Sequence, residues 1–212
     1  YFELNSFDEA LNDFSLALTL KPNDPETLIY RGQVYNFLKH YTDALHDFNA
    51  ALGQKSTDGS IAFFCRGQTY RYMKQYKEAL RDFDRAIELD RNFEHRAQEQ
   101  RGKVLQESGK KEEALTAFVE ALKTDTTCSD CWISLAGIYG DLYSRREIPR
   151  LLQEVIVLDE NNPSMIACRA QAMSAMRHTE EAMMELASAL ELDPDNQLAL
   201  VVRGQIYEYW HC

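Results

Sequence analysis

The sequence predicts an all-α protein: a right-handed α-solenoid of stacked antiparallel helix pairs, with about twelve helices. The first observation is a repeated Arg-Gly pair, at Arg31-Gly32, Arg66-Gly67, Arg101-Gly102 and Arg203-Gly204. Its spacing is 35 residues between the first three pairs and 102, or three times 34, before the last. The second is that alanine and aromatic residues keep fixed distances from each pair. The third is that no segment alternates polar and apolar residues as a strand does, so no sheet is expected.

Each repeat is predicted to contain two helices. The first carries the Arg-Gly pair and an aromatic residue three positions after the glycine, as in Tyr35 and Tyr70. The second carries alanine, an apolar residue and alanine at intervals of four and three, as in Ala44, Phe48 and Ala51. Residues at such intervals share one helix face. We expect glycine to face alanine between two closely packed helices, and neighbouring hairpins to stack because one hairpin cannot bury its own apolar stripe.

This pattern resembles the tetratricopeptide repeat (TPR) family. Trp132, Leu135, Ala136 and Tyr139 also match that family's first-helix pattern. The resemblance implies a single array over 1–212. Its parts are the second helix of a truncated unit at 1–24, full repeats at 25–58, 60–93, 95–128, 129–162 and 163–196, and the first helix of a further unit at 197–212.

Helix ends agree with this division. Asp24-Pro25 and Asn162-Pro163 each combine an N-cap residue with a proline at the first helical position. Ser6 with Glu9 suggests a capping box that starts the opening helix at about residue 5. The chain does not begin with Met, and Tyr209 and Trp210 are apolar residues near its end. We therefore expect a fragment that continues into further repeats or another domain.

Composition excludes several classes of function. The net charge of −11 over 212 residues and the absence of basic clusters argue against nucleic acid as a partner. No apolar run approaches the ~20 residues of a membrane helix, so no membrane insertion is expected. Five sparsely placed cysteines favour reduced thiols and a cytoplasmic location over a disulfide framework.

Motifs for catalysis are absent, and we predict that the chain is not an enzyme and holds no cofactor or metal. The pair Cys128-x-x-Cys131 alone has a chemical shape. It fits a structural role, a redox role at the start of a helix, or two ligands of a metal site that lacks the others. The sequence leaves these alternatives open.

By resemblance to the family, the first helices line a concave groove. There we predict a partner-binding site made of apolar, aromatic and amide side chains: Ile29, Tyr30, Gln33, Phe37, Phe64, Gln68, Arg71, Tyr72, Gln171 and Gln205. The glutamines suit an extended peptide backbone, but they are equally good helix formers on a wet surface. The aromatic patch is either a binding surface or is covered by flanking sequence.

The predicted function is that of a scaffold or adaptor for complex assembly, which holds a peptide or helix of another protein in this groove. The alternatives are a structural segment of a large permanent assembly, or a regulatory repeat arm of a larger multidomain protein. The family's chaperone carboxylate clamp requires Lys, Asn and Arg at fixed groove positions. This chain has Ile29, Gln33 and Cys65 there in the first frame, so such a clamp is not expected.

Two further predictions concern buried ion pairs and an irregular repeat. An arginine between packed helices needs a carboxylate, and sixteen residues after Arg31, Arg66 and Arg169 stand Asp47, Asp82 and Glu185. We predict a ladder of these pairs, extended backwards from each arginine to the acid of the preceding unit. We also predict an irregular joint in unit 129–162, since Pro149 falls within its second helix beside Arg145, Arg146 and Arg150.

Overall fold

The structure is a computed structural model that describes residues 2–54, 59–126, 128, 130–132, 134, 135, 138, 161–175 and 177–210. These residues form ten α-helices, one short 3₁₀ helix and no strand, which confirms the all-α class. Two compact units divide the chain, 1–104 and 105–212. The joint predicted around Pro149 lies outside the described residues.

The first unit contains α1 (Phe2–Leu20), α2 (Pro25–Phe37), α3 (Tyr41–Leu52), α4 (Ser60–Tyr72) and α5 (Tyr76–Leu89). A 3₁₀ turn at Arg91–Phe93 then leads into α6 (Glu94–Glu107), which crosses the boundary between the units. Helices α2 with α3, and α4 with α5, form the predicted hairpins. Helix α1 begins before Ser6, so the expected capping box at Ser6 is wrong.

The second unit contains α7 (Lys111–Thr124), α8 (Pro163–Ala175), α9 (Thr179–Leu192) and α10 (Gln197–Trp210). Residues 130–132, 134, 135 and 138 are also helical. Helices α8 and α9 form a hairpin, and both contact α10. Their core is built from α8, α9 and α10 side chains such as Ala170, Leu186 and Ile206.

Helix starts follow the sequence signals. The Asp24 carboxylate accepts a hydrogen bond from the Thr27 backbone N–H at 3.1 Å, and Pro25 is the first residue of α2. Helices α2, α4, α6 and α8 each end two residues before a residue in the left-handed conformation, with φ of 62° at Lys39, 60° at Lys74, 81° at Gly109 and 64° at Arg177. This conformation turns the chain sharply into the second helix of the pair.

Close packing within each hairpin depends on the repeated glycine, but not as expected. Gly32 and Gly67 lie against the rings of Phe48 and Phe83, rather than against alanine. A Cβ at either position would approach ring atoms to 2.7 Å at Gly32 and 2.8 Å at Gly67. Both rings are fully buried. The glycine therefore makes room for the phenylalanine, and the two residues form one packing unit.

The predicted arginine–carboxylate pairs are confirmed within three helical hairpins. Arg31 donates to both oxygens of Asp47 at 2.7 and 2.8 Å, and Arg66 donates to both oxygens of Asp82 at 2.7 Å. Arg169 pairs with Glu185. The carboxylates raise the pKa of Arg31 and Arg66 more than burial lowers it, so both stay protonated.

The backward contacts of the ladder differ from the prediction. Arg31 reaches Ser15 at 3.2 Å, Arg66 reaches Asn49 at 2.6 Å, and the Nε of Arg101 lies 3.1 Å from Asp84. Each of these residues stands two positions after the acid that was expected, so the ladder runs through a different register of the preceding helix.

Candidate functional site

Two polar contacts hold the first helices α2 and α4 side by side. Gln33 Nε2 lies 3.1 Å from the Cys65 sulfur, and Asn36 Nδ2 donates to Thr69 Oγ1 at 2.8 Å. Cys65 and Thr69 are buried, and burial raises the pKa of the Cys65 thiol. The thiol is therefore a neutral packing group at neutral pH, not a nucleophile. These contacts form a rigid base for the surface above them.

A pocket of about 390 Å³ opens on this surface. Four of the predicted partner-binding residues line it, namely Gln33, Phe37, Gln68 and Tyr72. The remaining lining residues are Asn36, Lys39 and Tyr41. The wall thus combines three carboxamides, three aromatic rings and one positive charge.

Aromatic side chains at the pocket remain open to solvent. Phe37 is 63% exposed and Tyr72 is 48% exposed. Tyr72 stacks on Tyr41 with ring centroids 5.8 Å apart, and Phe37 touches the Phe7 ring at 4.3 Å. Supported, solvent-facing rings on one wall are typical of a protein-binding surface.

Two predicted residues lie elsewhere than expected. Ile29 is 5% exposed and Phe64 is 3% exposed, so both are core residues and not part of an open aromatic patch. The Phe64 ring packs against Phe83 at 5.7 Å and Phe93 at 5.5 Å, and the Arg96 guanidinium lies 5.1 Å from its centroid. The expectation that they are exposed in the groove is therefore wrong.

The other predicted residues are spread over the fold. Tyr30 is half exposed and stacks on Phe14 at 6.1 Å, away from the pocket lining. Arg71 donates to Gln100 at 2.9 Å and lies over the Tyr72 ring at 5.6 Å, so it supports the pocket wall. Gln171 lies in α8 and exposed Gln205 in α10, both in the second unit.

Sequence reasoning did not select Lys39 or Tyr41. Both residues follow the end of α2, whereas the predicted groove residues came from the first helices alone. A signal for Tyr41 existed, because a tyrosine also opens the next second helix at Tyr76.

The structure also includes the two cysteines of the Cys128-x-x-Cys131 motif. Cys128 and Cys131 form a disulfide at the start of the helical residues 130–132, so the expectation of reduced thiols is wrong for this pair. Cys131 and Trp132 are fully buried, and the Trp132 Nε1–H donates to the Thr126 carbonyl at 3.1 Å.

Within the described part of the chain, no three His, Cys, Asp or Glu side chains form a metal site. None of the described helices has the length and apolar character that a membrane span requires.

The fold defines an α-helical repeat protein. Residues 60–93 match the tetratricopeptide repeat profile. Those bounds are the ones that the repeat register gives for this unit. The chain carries a tetratricopeptide repeat and has the fold of tetratricopeptide repeat proteins, which generally act by binding other proteins.

Solved structures agree on the fold. YrrB, a TPR protein with an unusual peptide-binding site, shares 19% identity and a TM-score of 0.55, with 90% of this chain and 97% of that chain covered. The C-terminal part of a TPR repeat-containing protein from Cytophaga hutchinsonii shares 19% identity and a TM-score of 0.64, covering 98% and 83%. A chain of the APC/C hetero-tetramer Cut9-Hcn1 shares 15% identity and a TM-score of 0.58, covering 97% of this chain and 40% of that chain. A search of curated proteins finds no sequence match.

Proposed function

We propose that this chain is an interaction scaffold that binds an extended peptide of a partner protein across α2 and α4. The observation that carries the proposal is the pocket in which exposed Phe37 and Tyr72 accompany Gln33 and Gln68. Carboxamides both donate and accept, as the peptide backbone does, and the two rings can hold one apolar side chain of the peptide.

The charge of the pocket and of the chain limits the class of peptide that can bind. Lys39 is the single charged residue of its lining. A chain of net charge −11 repels acidic partners at long range, so a peptide with several acidic residues is disfavoured. The positive Lys39 disfavours a basic peptide at the pocket itself, so the expected ligand is a largely uncharged segment with one aromatic or aliphatic anchor.

The test is selection of peptides from a random displayed library on the whole chain, followed by affinity measurement with variants. Phe37→Ala and Tyr72→Ala should each weaken the selected peptides by roughly 30-fold, because an aromatic anchor contributes about 2 kcal/mol to binding. Leu89→Ala is the matched control, since Leu89 is 48% exposed, like Tyr72, and does not line the pocket.

Peptides that bind both pocket variants as tightly as the parent would place the binding surface elsewhere. Equal weakening by Leu89→Ala would show general destabilisation instead of a local anchor. A competition experiment with Gln68→Ala then tests the backbone contact, which should cost less than either aromatic change.

A further inference from the structure

The Cys128 sulfur stands where other repeats have the side-chain oxygen that caps a first helix. Asp24, directly before α2, accepts the backbone N–H of Thr27, three residues later, at 3.1 Å. Asn196, directly before α10, accepts the N–H three residues later at the same distance. The Cys131 N–H donates to the Cys128 sulfur in the same way, at 3.3 Å. A backbone donor in this place stabilises negative charge on the atom that it faces.

The two sulfurs of the disulfide differ in their access to solvent. Cys131 is fully buried, whereas Cys128 is only partly buried. Thiol–disulfide exchange needs direct approach of a thiolate to one of the two sulfurs. An external thiolate can therefore reach the Cys128 sulfur, and the Cys131 sulfur is the one that leaves.

The local backbone keeps the pair together without the disulfide. The Trp132 N–H donates to the Cys128 carbonyl at 3.2 Å, which is a helical hydrogen bond. The two Cα atoms lie 5.3 Å apart, within the range that a disulfide joins without backbone movement. A cross-link between residues three apart also removes little entropy from the unfolded chain, in contrast to one that closes a long loop. The bond is therefore suited to opening and closing in the folded protein more than to stabilising it.

We propose that Cys128 and Cys131 form a thiol–disulfide exchange site, whose substrate is a thiol. Cys128 is the sulfur that the substrate attacks, and Cys131 is the resolving sulfur. The site lies in the second unit of the chain, whereas the pocket of the proposed peptide site lies in the first, so the two proposals are independent.

The exchange runs in two steps. A substrate thiolate forms a bond to the Cys128 sulfur, and the bond between the two cysteines breaks with its electron pair on Cys131, which takes a proton from water. A second substrate thiolate then forms a bond to the sulfur of the first, and Cys128 leaves as the thiolate that accepts the Cys131 N–H. Two thiols are oxidised to one disulfide, and the protein disulfide is reduced to two thiols.

The first test needs no substitution. The oxidised whole chain is treated with excess reduced glutathione at neutral pH in the absence of denaturant. Free thiols are then blocked with N-ethylmaleimide and located by peptide mass mapping. Cys128 and Cys131 should both become blocked while circular dichroism keeps its helical signal. A bond that glutathione reduces only after urea has unfolded the chain would overturn the proposal.

The second test assigns the two roles with oxidised glutathione as the probe. In Cys131→Ala, the glutathione adduct should remain on Cys128, because no thiol is left to displace it. In Cys128→Ala, the adduct on Cys131 should form at least tenfold more slowly, because Cys131 is buried. Cys65, a buried single thiol, is the internal control and should stay unmodified in both variants.

Two results of this second test would also overturn the proposal. Equal rates at Cys128 and Cys131 would remove the difference in access on which the roles depend. Modification of Cys65 as fast as that of Cys128 would show that the thiols react through general opening of the chain.

Discussion

Asp82→Ala is the change that tests most directly how the arginine ladder stabilises the fold. Asp82 is 5% exposed and accepts two hydrogen bonds from Arg66, each at 2.7 Å. Removing one partner of a buried ion pair leaves the other charge unpaired, at a cost of about 3–5 kcal/mol. The Arg66 side chain is 18% exposed and keeps its contact with Asn49, so the lower end, about 3 kcal/mol, is expected.

The assay is urea unfolding followed by circular dichroism. With a denaturant slope of about 2 kcal/mol/M, a loss of about 3 kcal/mol lowers the midpoint by about 1.5 M. Because repeat arrays open locally, hydrogen exchange of the α4 and α5 amides provides the local readout, and it should accelerate there first.

Two further variants isolate the cause. Glu88→Ala is the control from the same helix: its side chain is 60% exposed and its partner Arg85 is 57% exposed, so the change should cost less than about 1 kcal/mol. Arg66→Leu/Asp82→Leu should recover most of the loss, since neither charge is then left unpaired. The reasoning is refuted if Asp82→Ala unfolds at the same urea concentration as Glu88→Ala.

Three other predictions concern packing and caps. Gly67→Ala should lower the free energy of unfolding by about 1–3 kcal/mol through the clash with its phenylalanine ring, whereas Gly204→Ala, which meets open space, should leave it equal or higher; urea midpoints compare the two. Lys74→Gly should raise the free energy of unfolding by about 1 kcal/mol, since Lys74 has φ of 60°; an unchanged midpoint would count against strain there. Hydrogen bonds from Lys21 and then from Thr27 lower the pKa of Asp24 to about 2, so its cap is fully present above the ordinary value of 3.8 and is lost as pH falls through about 2. Amide exchange at Thr27 should accelerate over that window, and Asp24→Asn, which keeps a capping oxygen, should remove the pH dependence.

The hairpins could be predicted because their signals are local. A glycine and a phenylalanine sixteen residues apart recur in the repeats 25–58, 60–93 and 95–128, and packing within one hairpin decides their contact at Gly32 and Gly67. The spacing of Arg66 and Asp82 is of the same kind, and the structure confirms it. What faces solvent depends on the connecting segments as well. Phe64 shows this, because the 3₁₀ turn at Arg91–Phe93, which follows the second helix of the same repeat, places Phe93 against its ring. The groove positions of a regular repeat do not take account of that turn, so they do not predict that Phe64 is buried.

The error in the backward contacts of the ladder has a geometric origin. Residues two apart on an α-helix point about 200° away from each other. Asp47 faces the first helix of its own unit, where Arg31 occupies both of its oxygens, and it cannot also face the next unit. Asn49, two residues later, points to the opposite side and meets Arg66.

The same geometry explains why Arg101 is held although Ala117 stands at its own acid position. Asp84 of the preceding helix occupies the second register and lies 3.1 Å from the Arg101 Nε. Arg31 and Arg66 thus each have two partners, an acid within the hairpin and a polar residue of the preceding helix, whereas Arg101 pairs with the preceding helix. Asp47 and Asp82 occupy the first, buried register, while serine, asparagine or aspartate occupies the more exposed second one, as Ser15, Asn49 and Asp84 do. It follows that losing an acid loosens one hairpin, whereas losing an arginine such as Arg66 also uncouples that hairpin from its neighbour.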